Sequence, residues 1–371
     1  MAPGQVCIAS FFADTRTVNT NKQALPSALV TSLTVYSLFG LPAAVSTLTA
    51  LTQLKAIDAA DKGNLRSGVS ADRLQPLMRL RQLSLGSFDI SGNAEELLSL
   101  PALARLQALQ LSNCGLQAVP AALSALAQLT ALDLSSNIVS ATAPLAGLQR
   151  LRQLNLGFCD LAALPEQLAA LTGLTRLILR GNELTGGWLH LLPLTQLQYL
   201  EMSDCGLTAV SQPLSTLTAL TRLDLRHSYE LTGGWQHLLP LTQLQYLEMC
   251  NCVLSAVPRQ LSALTALTRL DLRHSYELTG GWQHLLPLTQ LQDLDLDFVR
   301  LRGAQPPPEL AALPLLRILG TLEELGDSDD GTSSDDDVSI NAYYDDDGPT
   351  SDNEDDDFTS DDDNDDEMEC A

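Results

Sequence analysis

Residues 217–245, LTALTRLDLRHSYELTGGWQHLLPLTQLQ, recur letter for letter as residues 264–292. Within this stretch Leu220, Leu223 and Leu225 spell L-x-x-L-x-L, and apolar and polar side chains alternate across the motif. An alternation with a period of two predicts a short β-strand whose leucines face inward. The later leucines of the stretch follow at roughly helical spacing, which predicts a short helix or 3₁₀ segment.

Most of the chain consists of looser copies of this unit. We number positions from the opening leucine of each copy, so that positions one, four and six face inward. Stacked units would place their strands side by side in one parallel sheet, with the wider helical segments behind it. The sheet should therefore line the concave face of a horseshoe and the helical segments its convex face. The opening leucines are Leu80, Leu106, Leu129, Leu151, Leu174, Leu197, Leu220, Leu244, Leu267, Leu291 and Leu316.

This pattern resembles that of the leucine-rich repeat proteins, over about four fifths of the chain. The resemblance implies an α/β solenoid and a non-enzymatic surface for binding proteins, used for signalling or as a scaffold. Some turns, such as Val257-Pro258, are similar to those of plant intracellular Ras-group-related repeat proteins. Others read Leu-Thr-Gly-Gly-Trp, similar to a turn of plant repeat receptors, and here we expect glycines at positive φ and a stacked ladder of tryptophans, Trp188, Trp235 and Trp282.

Composition divides the chain into three parts. Residues 1–24 lack periodicity and are predicted to be a flexible arm, and residues 25–325 form an array of about twelve repeats. The array begins with a degenerate capping unit in which Leu33, Tyr36 and Leu38 keep the spacing of the inward positions. Of the 45 acidic residues, 23 lie in residues 323–371, which contain no Lys or Arg, so the remainder carries 22 acids against 21 bases. The Asp-rich tail, residues 326–371, is predicted to be disordered and resembles that of acidic leucine-rich nuclear phosphoproteins.

The cysteines indicate the cellular compartment of the protein. Cys114, Cys159, Cys205 and Cys252 each occupy position nine of a repeat, where a small buried polar group meets the backbone of the turn. Because none belongs to the paired cysteine cap of secreted repeat proteins, we expect a reducing compartment, the cytoplasm, with the nucleus or the cytoskeleton of the ciliary axoneme as alternatives. The N-terminus lacks the features of a signal peptide, and an organelle transit peptide is kept as an alternative. We expect no membrane association.

The candidate site is the concave face, where positions three, five, seven and eight point outward. An acid row there runs between arginines, with tyrosines interleaved. One interpretation is a lattice that satisfies itself through ion pairs and cation–π contacts. The other is a protein-binding site, because five consecutive acids would leave directional groups for a ligand. The candidate residues are Arg176, Arg180, Tyr199, Glu201, Arg222, Asp224, Arg226, His227, Tyr246, Glu248, Arg269, Asp271, Arg273, His274, Asp293 and Asp295.

The sequence contains no pattern typical of an enzyme. His227 and His274 should lie two strands apart, about 10 Å, too far to share one zinc ion. We therefore expect no catalytic residues, no cofactor and no metal. The first hypothesis is a monomeric scaffold that binds a protein partner, with no direct contact to nucleic acid. The alternatives are a nuclear acidic chaperone whose tail binds basic proteins such as histones, a tail that only keeps the protein soluble, or a substrate-recognition subunit of a larger complex.

Overall fold

The computed structural model describes residues 5–7, 30–37, 41–58, 68–299 and 308–319. These residues form one sheet of 14 parallel strands, in which the order of the strands is their order in the sequence. The predicted parallel sheet is therefore confirmed. The strands are β1 Gln5–Cys7, β2 Ser32–Ser37, β3 Gln53–Asp58, β4 Gln82–Gly86, β5 Ala108–Gln110, β6 Ala131–Asp133, β7 Gln153–Asn155, β8 Arg176–Ile178, β9 Tyr199–Glu201, β10 Arg222–Asp224, β11 Tyr246–Glu248, β12 Arg269–Asp271, β13 Asp293–Asp295 and β14 Arg317–Leu319.

Short helical segments connect the strands on the opposite side, as the spacing of the leucines predicted. Three are single turns of α-helix, α1 Ala71–Leu74, α2 Ala94–Leu98 and α3 Pro308–Ala311. The others are 3₁₀ segments, which suit units too short for a full helix. They are Ala43–Thr47, Pro101–Leu103, Ala121–Ala125, Ala143–Gly147, Glu166–Ala170, Trp188–Leu191, Gln212–Thr216, Trp235–Leu238, Arg259–Ala263 and Trp282–His284. None of the helices in the described ranges is long and apolar enough to cross a membrane.

The core is a stack of leucines between the sheet and the helical segments. In the repeat of β10, Leu220, Leu223 and Leu225 are fully buried. The strand register places Leu223 between Leu200 and Leu247, so equivalent leucines of successive repeats touch. Each buried leucine contributes about 1.5–3 kcal/mol relative to an exposed one. The array is therefore held together by many equivalent contacts between neighbouring repeats.

Position nine supplies the hydrogen bonds that the turns need. The Oδ1 atom of Asn182 accepts the backbone N–H groups of Cys159 at 3.1 Å and Leu161 at 3.0 Å, and its Nδ2 donates to the carbonyl of Leu156 at 2.9 Å. The Cys159 thiol donates to the carbonyl of Leu134 at 3.3 Å. Burial raises the pKa of Cys159 to about 11. The predicted structural role of the cysteines is confirmed, since all four at position nine are fully buried: Cys114, Cys159, Cys205 and Cys252.

The Leu-Thr-Gly-Gly-Trp turns need glycine only at their second glycine. Gly187 has φ 78°, and an added Cβ there would collide with the carbonyl oxygen of Leu164. The equivalent Gly234 and Gly281 have φ 79° and 82°. The prediction of a tryptophan ladder is wrong, because the tryptophans occur in every second repeat and the segment Gln212–Thr216 lies between Trp188 and Trp235. Each ring packs against the leucine core instead.

The ends of the array depart in detail from the sequence pattern. In the degenerate first unit Val30, Leu33 and Val35 are buried, whereas Tyr36, predicted to face inward, is exposed. At the N-terminus, Gln5–Cys7 pairs in parallel with β2, although it lies in the segment predicted to be an arm. At the other end β14 pairs with β13 and closes the described part of the array. The remainder of the arm and the whole acidic tail lie outside the described residues.

Candidate functional site

The arginines and tyrosines of position three form a stacked row on the concave face. The register of β9, β10 and β11 places Arg222 between Tyr199 and Tyr246. The guanidinium carbon of Arg176 lies 3.9 Å from the centre of the Tyr199 ring, and that of Arg222 lies 5.3 Å from Tyr199 and 5.9 Å from Tyr246. Cation–π contacts of this kind contribute about 0.5–1 kcal/mol at exposed sites. The sequence correctly predicted both the interleaving and the contacts.

The acidic row at position five is a buried layer rather than an exposed one. Glu201, Asp224, Glu248 and Asp271 are all buried, although they lie on the face of the sheet away from the leucine core. The longer side chains of positions three and seven cover them. Burial and the neighbouring charge of Asp224 raise the pKa of Glu248, against the opposing effect of Arg226 and Arg222. The expectation that this row offers free directional groups to a ligand is therefore wrong.

Arginines of position seven bind the buried carboxylates. The Arg226 guanidinium donates from Nη2 to Asp224 at 2.7 Å, and its Nε lies 3.1 Å from Glu248. In the duplicated repeat Arg273 binds Asp271 at 2.9 Å and approaches Asp295 at 3.6 Å. Burial alone would lower the pKa of Arg226, but its hydrogen bonds to Asp224 raise it above the ordinary value. A carboxylate pair of this kind fixes the guanidinium in one orientation.

The remaining acid of the row and the next arginines complete the lattice. Glu201 accepts a hydrogen bond from the Tyr199 hydroxyl at 2.9 Å and lies 3.8 Å from Arg180. Arg222 donates to Glu248 at 2.8 Å. Every acid at position five therefore has a partner, as the lattice interpretation predicted. Burial and the charge of Glu201 raise the pKa of Tyr199, so this hydroxyl stays protonated at neutral pH.

Arg269 is the exception among the position-three arginines of this face. It is exposed, and it makes no ion pair or side-chain hydrogen bond within the described part of the chain. Asp293 lies beside Arg269 on the neighbouring strand β13, but it is bound by Arg317 of β14 at 2.6 Å. Arg269 is thus a cation available to a ligand, flanked by the exposed ring of Tyr246.

The histidines of position eight belong to a second surface, at the edge where the strands end. His227 hydrogen-bonds the Tyr229 hydroxyl at 3.2 Å, and His274 does the same with Tyr276 at 2.7 Å. The His274 ring also stacks on Phe298, with ring centres 4.7 Å apart. We call this surface the aromatic rim; it consists of His227, Tyr229, Asn251, His274, Tyr276 and Phe298.

Five residues that line these surfaces were not among the predicted site residues: Asn251, Phe298, Tyr229, Tyr276 and Arg317. Asn251 and Phe298 occupy position eight, which was predicted to point outward. Tyr229 and Tyr276 follow position nine, and the prediction considered only positions three to eight. Their place inside the letter-for-letter duplication was the available indication. Arg317 lies in the degenerate last repeat, whose pairing with Asp293 depends on the register of β14.

The structure places the two rim histidines on different repeats. His227 and His274 follow β10 and β12, with β11 between them. Among the residues that the structure describes, no group of three or more His, Cys, Asp or Glu side chains is placed to hold a metal ion. The arrangement brings together paired charges, aromatic rings and the exposed Arg269, which makes no ion pair with another described residue. Arginine and aromatic side chains are the groups that dominate protein interfaces.

Comparison with known proteins identifies the fold. The structure is similar to a leucine-rich repeat protein of Leptospira interrogans, with a TM-score of 0.61 and 24% identity over 75% of this chain and 69% of that one. It is also similar to an internalin of Listeria monocytogenes, with a TM-score of 0.59 and 23% identity over 75% and 82%. TLR13, solved in complex with ssRNA13, gives a TM-score of 0.57 and 20% identity over 74% and 44%.

These similarities, together with the sheet and its repeated leucines, show that the chain is a leucine-rich repeat solenoid. No protein-family model matches the sequence, and no curated protein matches it either.

Proposed function

We propose that this protein is a non-enzymatic scaffold whose concave face, from Arg176 to Phe298, binds a protein partner. The observation that carries the proposal is the ordered layer of arginines above buried carboxylates. Arg226 and Arg273 are held by Asp224 and Asp271, yet their side chains keep 34% and 37% of their surface exposed. An arginine fixed before binding loses less conformational entropy when a partner arrives.

A protein suits this surface better than a nucleic acid does. Phosphate backbones are bound through many cations whose charge is not already neutralised. Here most of the arginines on the concave face are paired with carboxylates, and Arg269 alone among those of position three lacks a partner within the described ranges. A mosaic of paired charges with tyrosine rings is typical of protein interfaces. TLR13 is solved with RNA, and that ligand is not proposed for this chain.

Arg269 gives the sharpest test of the proposal. The variant Arg269→Glu reverses an exposed charge that makes no ion pair or side-chain hydrogen bond with another described residue, so it should leave the melting temperature unchanged and abolish capture of a protein partner. Its matched control is Gln153→Glu, at the same position three on β7, outside the proposed surface. Affinity capture followed by mass spectrometry would compare both variants with the wild type. A partner retained by Arg269→Glu, or lost equally by the control, would contradict the proposal.

Reversal of Arg226 and Arg273 is a poorer test of binding. Each of these arginines compensates a buried carboxylate, Asp224 or Asp271, so a glutamate in its place would leave two acids together in a buried setting. Loss of one partner of a buried pair costs about 3–5 kcal/mol. Variants at these positions should lower the melting temperature as well as binding.

Three finer predictions accompany this proposal. We propose a cytoplasmic location, supported by buried thiols that donate hydrogen bonds in every second repeat from Cys114 to Cys252, and fractionation of cells would test it. The relation to plant Ras-group-related repeat proteins, and binding of histones by the acidic tail, stay predictions. Deletion of residues 327–371 would separate the contribution of the tail from that of the solenoid. Binding of basic proteins that persists after the deletion is due to the solenoid.

A further inference from the structure

The aromatic rim is an exposed surface that the fold itself does not require. Tyr229 and Tyr276 keep 55% and 41% of their surface exposed, and Phe298 keeps 47%. Asn251, on the repeat between the two copies, extends the first of them, since its Nδ2 lies 3.3 Å from Nδ1 of His227. Large aromatic side chains contribute most to stability when they are buried. A contiguous exposed group of them is typical of an interaction site.

The backbone conformation at position eight strengthens this argument. The residue there adopts positive φ in repeat after repeat, for example φ 57° at Ser136 and 53° at Asp204. Small or polar residues such as these tolerate the left-handed conformation, whereas a phenylalanine there is strained. Phe298 nevertheless adopts φ 57°. Its ring is neither buried nor favoured by the turn, and it stacks on His274, so it belongs to the exposed rim rather than to the core.

The charge around the rim specifies the kind of ligand. Asp204, Glu230 and Glu277 are exposed and make no ion pair or side-chain hydrogen bond with any other described residue. Asp204 lies beside the first loop of the rim, since its backbone N–H donates to the carbonyl of Arg226 at 2.9 Å. Burial, together with the negative charge of Asp204, raises the pKa of Tyr229. Aromatic faces flanked by carboxylates attract cations through cation–π contacts and ion pairs. The nearby arginines are already bound to carboxylates, so they oppose such a ligand only weakly.

The duplication sets the spacing of the ligand's charges. The sequence His-Ser-Tyr-Glu occurs at residues 227–230 and again at residues 274–277, on loops that follow β10 and β12. Two strand spacings separate equivalent atoms of these loops by about 10 Å. On an extended chain of the polyproline type, residues three apart lie on one side about 9 Å apart. A partner segment with cations at that interval would reach both loops at once.

We propose that the aromatic rim binds an extended basic segment of a partner protein, with one Arg or Lys at each His-Ser-Tyr-Glu loop. This inference rests on the proposed function, because it names the chemistry of a partner that binds this side of the solenoid. The residues that test it are different from those that test the proposed function. Arg269 and Tyr246 lie on the strands of the concave face, whereas the rim lies on the loops after them.

A labelled synthetic peptide and the full-length protein provide the test. The probe is a short proline-rich peptide with two arginines three residues apart, and fluorescence anisotropy measures its affinity. The double variant Tyr229→Ala/Tyr276→Ala should weaken binding about tenfold or more, since it removes two cation–π contacts. Glu230→Gln/Glu277→Gln should weaken it too. A peptide with adjacent arginines, which carries the same charge, should bind less well than the spaced one.

Phe158 provides the matched control for the rim. It also occupies position eight, adopts φ 54° and is 47% exposed, as Phe298 is, but it follows β7 and contacts Arg180 rather than the rim. Phe298→Asn should weaken peptide binding several-fold, and Phe158→Asn should leave it unchanged. Because asparagine tolerates positive φ, both variants should fold. The acidic tail is present in every variant, so any binding by the tail is the same in all of them.

The outcomes separate this inference from the proposed function. Equal peptide binding by the wild type and the rim variants would assign the peptide to another part of the chain and overturn the inference. Equal binding of spaced and adjacent arginines would overturn it as well, because charge alone would then suffice. If Arg269→Glu abolishes capture of a partner while the rim variants do not affect it or the peptide, the proposed function stands and the inference fails. If the peptide binds the rim but Arg269→Glu does not reduce the capture of a protein partner, the inference stands and the proposed function fails.

Discussion

Strands β5–β7 and strands β8–β12 share one scaffold and differ in the surface that they present. In both regions the leucines of positions one, four and six are buried. On the concave face β5–β7 carry small or neutral side chains such as Ala108, Gln110 and Gln153, with Asp133 as the one acid of position five. The later strands carry the lattice of arginines, tyrosines and acids. The comparison teaches that the inward positions make the fold and the outward positions are free to make a site.

The largest expected effect concerns what the two regions share. Leu223→Asp and Leu109→Asp should each destabilise the solenoid by more than about 4 kcal/mol, because an unpaired charge would lie among packed leucines. Circular dichroism and thermal melting would measure the loss. Both leucines are fully buried, so the effects should be similar in the two regions. An unchanged melting curve for either variant would contradict the assigned register.

The next comparison concerns the buried acids. Asp224→Asn should destabilise by about 1.5–3 kcal/mol, because Arg226 would lose its charged hydrogen-bond acceptor and keep only the carboxylate of Glu248. Asp133→Asn should leave stability at pH 7 unchanged or raise it. Burial raises the pKa of Asp133, so its contribution to stability is greatest below the unfolded pKa and declines as pH rises through the folded pKa.

Asparagine at residue 133 would remove that dependence and could still accept the hydrogen bond from the backbone N–H of Ser135. Chemical denaturation from acidic to neutral pH would compare the variant with the wild type. If Asp133→Asn lost as much stability as Asp224→Asn, the two acids would have the same role. The proposed difference between strands β5–β7 and β8–β12 would then be contradicted.

A further difference is expected at position nine. Asn182→Ala should cost about 1–3 kcal/mol for each buried backbone group that it leaves without a partner. Ser228→Ala should change the unfolding free energy by less than about 0.5 kcal/mol, because the Ser228 hydroxyl has no hydrogen-bond partner within the described residues. Urea denaturation would resolve the difference. Equal losses would mean that the backbone at these turns does not depend on the side chain of position nine.

Much of the fold could be predicted because the same pattern occurs in many repeats, and each of them supports the same inference. The spacing of Leu220, Leu223 and Leu225 predicted the strand, the parallel sheet and the inward face, and the structure confirms them. Tyr36 was placed on the wrong side because the first repeat lacks its opening leucine, so the pattern had no fixed starting point there. The tryptophan ladder failed because the motif recurs in every second repeat, and tryptophans of alternate repeats do not touch.

The sequence predicted which residues lie on the face of the candidate site, but not which of them are buried. A period of two determines which face a side chain points to, so the sequence by itself determined the fold, the concave rows and the buried cysteines of position nine. It did not determine that Glu201, Asp224, Glu248 and Asp271 lie beneath the arginines, or that Arg269 is left without a carboxylate. Those facts depend on side-chain length and on contacts between neighbouring strands. Only the tertiary structure decides them, because each carboxylate has several arginines within reach and packing selects one arrangement.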